Sequence, residues 1–183
     1  MKPFRILLCA AALVFSAGAA ADQNDPRLED LFNQLRAAAD QVQAAPVEEL
    51  IWQIWMEHED SNVENQMQIG IQQMNFGDSA AALATFDRLV EAAPDFAEAW
   101  NKRATIHYLL GNYAASEADI VKTLQLEPFH FGALSGRGLV LIAQGKFEEA
   151  RKAFSRALEV NPTMEATKNN IEEINQYLRG RTI

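Results

Sequence analysis

The sequence predicts an all-α fold, a solenoid of stacked helix-turn-helix units, on three observations. Prolines stand at 94, 128 and 162, a step of 34 residues, and self-similarity at a fixed period of roughly 20–50 residues marks a repeat array. The same step links Gly77, Gly111 and Gly145, then Ala82, Ser116 and Ala150, then Phe86, Ile120 and Phe154, and finally Val90, Leu124 and Leu158. Within each unit the apolar residues follow helical spacing and the glycine falls in the middle, so each unit reads as helix, short turn, helix.

The chain opens on MKPFRILLCAAALVFSAGAAAD. Lys2 and Arg5 precede an apolar run from Ile6 to Phe15, and small residues end at Ala19-Ala20-Ala21. This is the three-part pattern of a secretory signal peptide, with cleavage expected after Ala21 and an exported, periplasmic product. The apolar run is shorter than the roughly 20 residues a bilayer demands, so no stable membrane insertion is expected after cleavage. Cys9 is the only cysteine and lies in this leader. The mature chain therefore has no disulfide, thiolate metal site or cysteine nucleophile. Losing Lys2 and Arg5 moves the formal charge from −9 to −11, which argues against a nucleic-acid partner, since phosphate binding needs a basic stripe.

Residues 22–62 read as an N-terminal helical hairpin, its two helices opened by Asp25-Pro26 and by Pro46. Leu28, Leu31, Leu35 and Val42 form one apolar set and Leu50, Ile51, Ile54 and Trp55 the other. As a degenerate repeat it is expected to cover the open core of the first full unit. The units follow at 63–96, 97–130 and 131–164. Their turns read FGDS, LGNY and QGKF, where glycine takes the left-handed conformation that ends a helix. Pro94, Pro128 and Pro162 close the second helices, which proline cannot continue. Ser61 with Glu64, and Asp95 with Glu98, have the spacing of capping boxes. Residues 165–183 read as a capping helix and tail, with Thr167, Ile171, Ile174 and Leu178 inward and Glu165, Lys168, Glu172, Asn175 and Gln176 outward.

These residues resemble the tetratricopeptide repeat (TPR) family, whose pattern W-x2-L-G-x2-Y…A-x3-F…P has this period. Trp100 stands at the tryptophan, Gly70 and Gly138 at the glycine, Ala82 with Phe86 and Ala150 with Phe154 at the small-large pair. Arg103 and Arg137 replace the leucine, and His107 replaces the tyrosine. IWQIW, FAEAWNKRAT and EPFHFGALSG further resemble secreted repeat proteins of Gram-negative bacteria. The resemblance implies a TPR-type α-solenoid whose first helices line a concave groove that binds protein partners. The slots it assigns to the groove are Glu64, Met67, Ile71 and Met74, then Glu98, Asn101, Thr105 and Tyr108, then Gly132, Ser135, Leu139 and Ile142. The family's clamp for acidic C-termini uses lysine, asparagine and arginine. Met67, Ile71, Lys102, Gly132 and Gly136 occupy those places here, so that activity does not carry over.

The inventory for catalysis is thin. His58, His107 and His130 lack the i, i+3 or i+4 spacing of a zinc helix, and His130 with Ser135 lacks a nucleophile elbow and an orienting acid. No catalytic residue, metal or cofactor is assigned. Arg103 and Arg137 are read as interface ion-pair residues, with Asp119 a candidate partner of either. Trp52 and Trp55 are read as core before binding site. The expected function is a non-catalytic protein-interaction scaffold for an apolar or amphipathic segment, with Met67 and Met74 adapting to its shape. A self-associating envelope protein and an enzyme are the other classes.

One feature of the third unit resists this reading. LEPFHFGALSGRG places Gly132, Gly136 and Gly138 in one helix, where each glycine costs about 1 kcal/mol against alanine. Gly138 is the family's glycine, allowing close helix approach. For Gly132 three readings stand: a partner segment against the helix, the N-terminal helices folded back upon it, or a helix that begins late.

Overall fold

The computed structural model describes residues 25–180; the leader with Cys9 and its Ala21 cleavage point, and the tail from 181, lie outside the described residues. Among those described are nine helices and no strand: α1 (Arg27–Ala37), α2 (Gln41–Met56), α3 (Ser61–Asn75), α4 (Ser79–Ala92), α5 (Ala97–Leu109), α6 (Tyr113–Leu126), α7 (Phe131–Ala143), α8 (Phe147–Val160) and α9 (Glu165–Gly180). The pairs α3–α4, α5–α6 and α7–α8 are the three repeats, and α9 packs on α8.

Each pair is closed the same way. Gly77, Gly111 and Gly145 have φ of 77°, 76° and 73°, a conformation that costs glycine nothing and other residues roughly 1–2 kcal/mol. The two helices then meet across a missing side chain. A Cβ on Gly70 would lie 2.6 Å from the Phe86 ring and one on Gly138 2.4 Å from the Phe154 ring, and both phenyl groups are fully buried. In the middle repeat the contact is polar: Ser116 Oγ donates to the Ala104 carbonyl at 2.8 Å.

Ion pairs fix register between repeats. Arg103 donates to Asp119 through Nε at 2.8 Å and Nη2 at 2.7 Å, and to Asp87 at 3.0 Å. It therefore ties α5 to both α4 and α6. Arg137 does not share Asp119; it takes Glu117 at 2.9 Å. His107 lies between α5 and α6, its Nε2 3.9 Å from Asp119.

Local expectations fail where a more distant contact wins. Asp40, not Pro46, opens α2, because its carboxylate accepts the Gln43 N–H at 3.0 Å. Pro46 sits inside the helix, and the hydrogen bond it forgoes would go to the carbonyl of Val42, a residue 84% exposed. Val42 and Leu50 are accordingly surface residues rather than core. Helix α3 is capped by Asp60, which accepts from Asn62 N–H, while Glu64 accepts from His58 N–H. Helix α5 has no side-chain cap, because Phe96 rather than Asp95 holds the N-cap position, and Glu98 is fully buried and engaged elsewhere.

The largest departure is the hairpin α1–α2. It does not extend the array beyond the first repeat. Leu28, Leu31, Phe32 and Leu35 of α1, with Ile51, Ile54 and Trp55 of α2, share a core with Phe131 and Leu134 of α7 and Ala157 and Val160 of α8. The hairpin folds back over the third repeat because its bulky aromatic groups match a surface stripped of side chains at Gly132.

Candidate functional site

The seat of the hairpin is built around His130. As N-cap of α7 it accepts the Ala133 N–H on Nδ1 at 3.1 Å. The ring proton therefore sits on Nε2, which donates to Glu98 Oε2 at 2.8 Å. Asn101 Nδ2 donates to the same oxygen at 2.9 Å, and Lys102 Nζ lies 2.6 Å from the other. Burial raises the Glu98 pKa, but the charge of Lys102 and the His130 hydrogen bond outweigh it and hold the carboxyl down to about 2.

Two tryptophans close on this cluster. The Trp55 indole stacks on His130 at 4.0 Å between centroids, inclined 11°. Its Nε1 donates to Glu127 Oε2 at 3.3 Å, while Glu127 Oε1 accepts the Phe129 N–H at 2.9 Å. Burial pushes the Glu127 pKa up. Trp52 meets Trp55, His130 and Phe131 edge to face, and Lys102 Nζ lies 5.3 Å from its centroid. A Cβ on Gly132 would stand 2.7 Å from Trp52 Cη2. Of the three readings of Gly132, the second is the one observed: the N-terminal helices fold back upon it.

The slots assigned to the groove do not stay together; Glu64, for one, is taken by the His58 N–H at 3.0 Å. Asn101, Thr105, Tyr108, Gly132 and Leu139 line a common pocket of about 80 Å³ between α5 and α7. Gly136 belongs with them: a Cβ there would have only Ile120 Cδ1, 4.0 Å away, as neighbour. Met67 is fully buried among Val63, Phe86 and Leu89, with Ile71 and Met74 half-buried against the same core. Met67 is thus a correction, a core residue rather than a groove lining, and Glu98 is another. Ser135 and Ile142 turn toward α9, Ser135 sharing a 3.1 Å hydrogen bond with Thr167 and Ile142 packing beside Ile171 and Leu178.

Ser135 and His130 are therefore not brought together: the serine is bound to α9 and the imidazole to Glu98. Among the described residues no group of three His, Cys, Asp or Glu side chains is placed to hold a metal ion, and no helix is long and apolar enough to cross a membrane. What the arrangement offers is recognition by stacking, by amide and hydroxyl groups, and by shape.

Models of the tetratricopeptide repeat match residues 68–129 and 132–164. A TPR repeat-containing protein of Rhizobium etli is 32% identical over 154 residues, which are 84% of this chain and 76% of that one. The chain belongs to the tetratricopeptide repeat family. Human DnaJ homolog subfamily C member 3 is 33% identical over 56% of this TPR protein, which spans only 20% of that relative. Among solved structures, the first TPR of Spaghetti (RPAP3), bound to an HSP90 peptide, gives a TM-score of 0.63 at 26% identity, covering 66% of this chain and 96% of that one. The TPR domain of Sgt2 from Aspergillus fumigatus shares the fold, with a TM-score of 0.64 at 17% identity over 67% of this chain and 83% of its own. Protein-interaction modules are thus what this TPR protein is similar to.

Proposed function

We propose that the mature chain is a non-catalytic periplasmic scaffold that takes an apolar or amphipathic segment of a protein partner in its concave face. The observation that carries the reading is the pocket held open by Gly136 between Thr105, Tyr108 and Leu139, the right scale for one anchoring side chain. Spaghetti's TPR, to which the chain is similar, is bound to the HSP90 peptide SRMEEVD, which has an acidic C-terminus. An acidic terminus is not the expected ligand here, because Lys102 already neutralises Glu98 at 2.6 Å. Export is read from the leader of residues 1–21, and the expected result that tests it is a mass spectrum of the periplasmic fraction in which the protein begins at Asp22.

Display of random peptides against residues 22–183 tests the scaffold. The expected result is enrichment of sequences with apolar anchors, abolished by Gly136→Leu, which fills the pocket. Enrichment of acidic C-termini, or binding indifferent to Gly136→Leu, overturns the reading.

A further inference from the structure

The hairpin shows what its seat recognises. Trp52 and Trp55 stand three residues apart on α2 and enter the seat together, one over Gly132 and one over His130. Each has a matched receptor: Glu127 takes the Trp55 N–H, and Lys102 lies against the Trp52 face. Outside the aromatic pair the hairpin is held by an apolar core, in which Leu28, Leu31 and Phe32 of α1 pack with Phe131, Leu134 and Val160. Asn161 Nδ2 donates to Glu48 at 2.6 Å, and Phe129 meets Phe32 at 5.5 Å while remaining 51% exposed. Gly132 is also one of the slots through which the groove is expected to meet partners, and it lines the Gly136 pocket. The resident helix therefore lies across one end of the surface left to a ligand.

We infer that α1–α2 is a displaceable occupant of the groove, and that the seat at His130, Gly132 and Glu127 accepts a partner helix carrying two aromatic residues three apart, as α2 does. This deepens the scaffold reading and rests on it: the pocket receives one side chain, and the adjoining seat receives the aromatic pair. Displacement exchanges like for like. The partner restores the stack on His130 and the hydrogen bond to Glu127, and it must also cover Phe131 and Leu134 and replace the Glu48 acceptor of Asn161. While α2 is in place it lowers the apparent affinity for any competitor by the fraction of molecules in which the seat is free.

The probe is a labelled peptide of residues 41–56, added to the mature chain and to the Trp52→Ala/Trp55→Ala chain, with binding read by fluorescence anisotropy. The double variant should bind the peptide at least about tenfold more tightly than the native chain, whose seat is filled by its own α2. A peptide with both tryptophans replaced by alanine should bind neither. Equal binding of the two peptides, or no binding to a variant whose circular dichroism shows folded repeats, overturns the inference. Should the double variant fail to fold, hydrogen exchange on the native chain decides. Amides of α1 and α2 should then open together and earlier than those of α5 to α8, and exchange of all of them only on global unfolding refutes displaceability. Loss of peptide-display binding through Gly136→Leu is a separate readout, so failure of the scaffold reading and failure of this one are distinguishable.

Discussion

Three glycines of one helix face three different neighbours, and alanine at each should have a different effect. At Gly138 the new Cβ meets three atoms of the buried Phe154 ring within 2.6 Å, and overpacking of that kind costs about 1–3 kcal/mol. At Gly132 it meets Trp52, which is only half-buried and able to shift, so the loss should be smaller and should fall on the hairpin. From sequence alone, alanine at 132 is a gain in helix propensity; the indole reverses the sign. At Gly136 the space is open, and alanine should stabilise by up to about 1 kcal/mol. Urea melts of the three variants should therefore rank Gly138→Ala below Gly132→Ala below Gly136→Ala. Glu98 adds a dependence on pH. Its folded pKa of about 2 lies below the ordinary 4.5, so its stabilisation is complete above pH 4.5 and is lost as pH falls toward 2. Glu127, raised by burial, acts in the opposite sense and favours the fold as pH drops from neutral. Glu98→Gln should flatten the acid limb between pH 4.5 and 2 in melts across that range, while Glu127→Gln should remove the gain above it.

At the scale of helices, repeat register places Phe86 and Phe154 in equivalent inward positions, each fully buried against a glycine of its partner helix. Alanine at either should cost about 3–5 kcal/mol, against less than about 0.5 kcal/mol for Glu172→Ala on the exposed face of α9. Equal and small losses at all three sites, in denaturant melts, would remove the register. That register is legible because a solenoid repeats the same neighbours at the same step, so one column of sequence reports one column of contacts. Caps are less legible. The Asp95–Glu98 spacing is a valid local signal, but Glu98 finds His130 one repeat away and Lys102 one turn away, and that cluster outweighs a surface cap. Pro46 misleads for a related reason. It marks a break only if no better cap lies upstream, and Asp40 is one.

At the scale of the molecule, the hairpin changes a linear array into one in which the first helices meet the last repeat. Repeat arrays normally carry only nearest-neighbour contacts, and nothing periodic reports the contact between Trp52 and Gly132, which lie 80 positions apart; the unexplained glycine was its one trace in the sequence. The same geometry predicts what happens without the hairpin. Phe131, Leu134, Ala157 and Val160 are buried beneath it, beside Phe129, already half-exposed. Removing residues 22–60 leaves these side chains as a contiguous apolar patch on a protein whose repeats are still closed by Phe86, by the Ser116 hydrogen bond, by Phe154 and by α9. A patch of that kind draws a second surface, and another copy of the truncated chain is the one always present. Light scattering should therefore give a larger mass for residues 61–183 than for a monomer, with helical circular dichroism retained, while residues 22–183 should stay monomeric at the same concentration. Adding the peptide of residues 41–56 should return part of the truncated protein to monomer, because it covers the seat that α2 vacated. A truncated chain that stays monomeric and binds no hydrophobic dye would mean that the buried patch is too small to matter, and the hairpin would then be a terminal cap with no role at the groove.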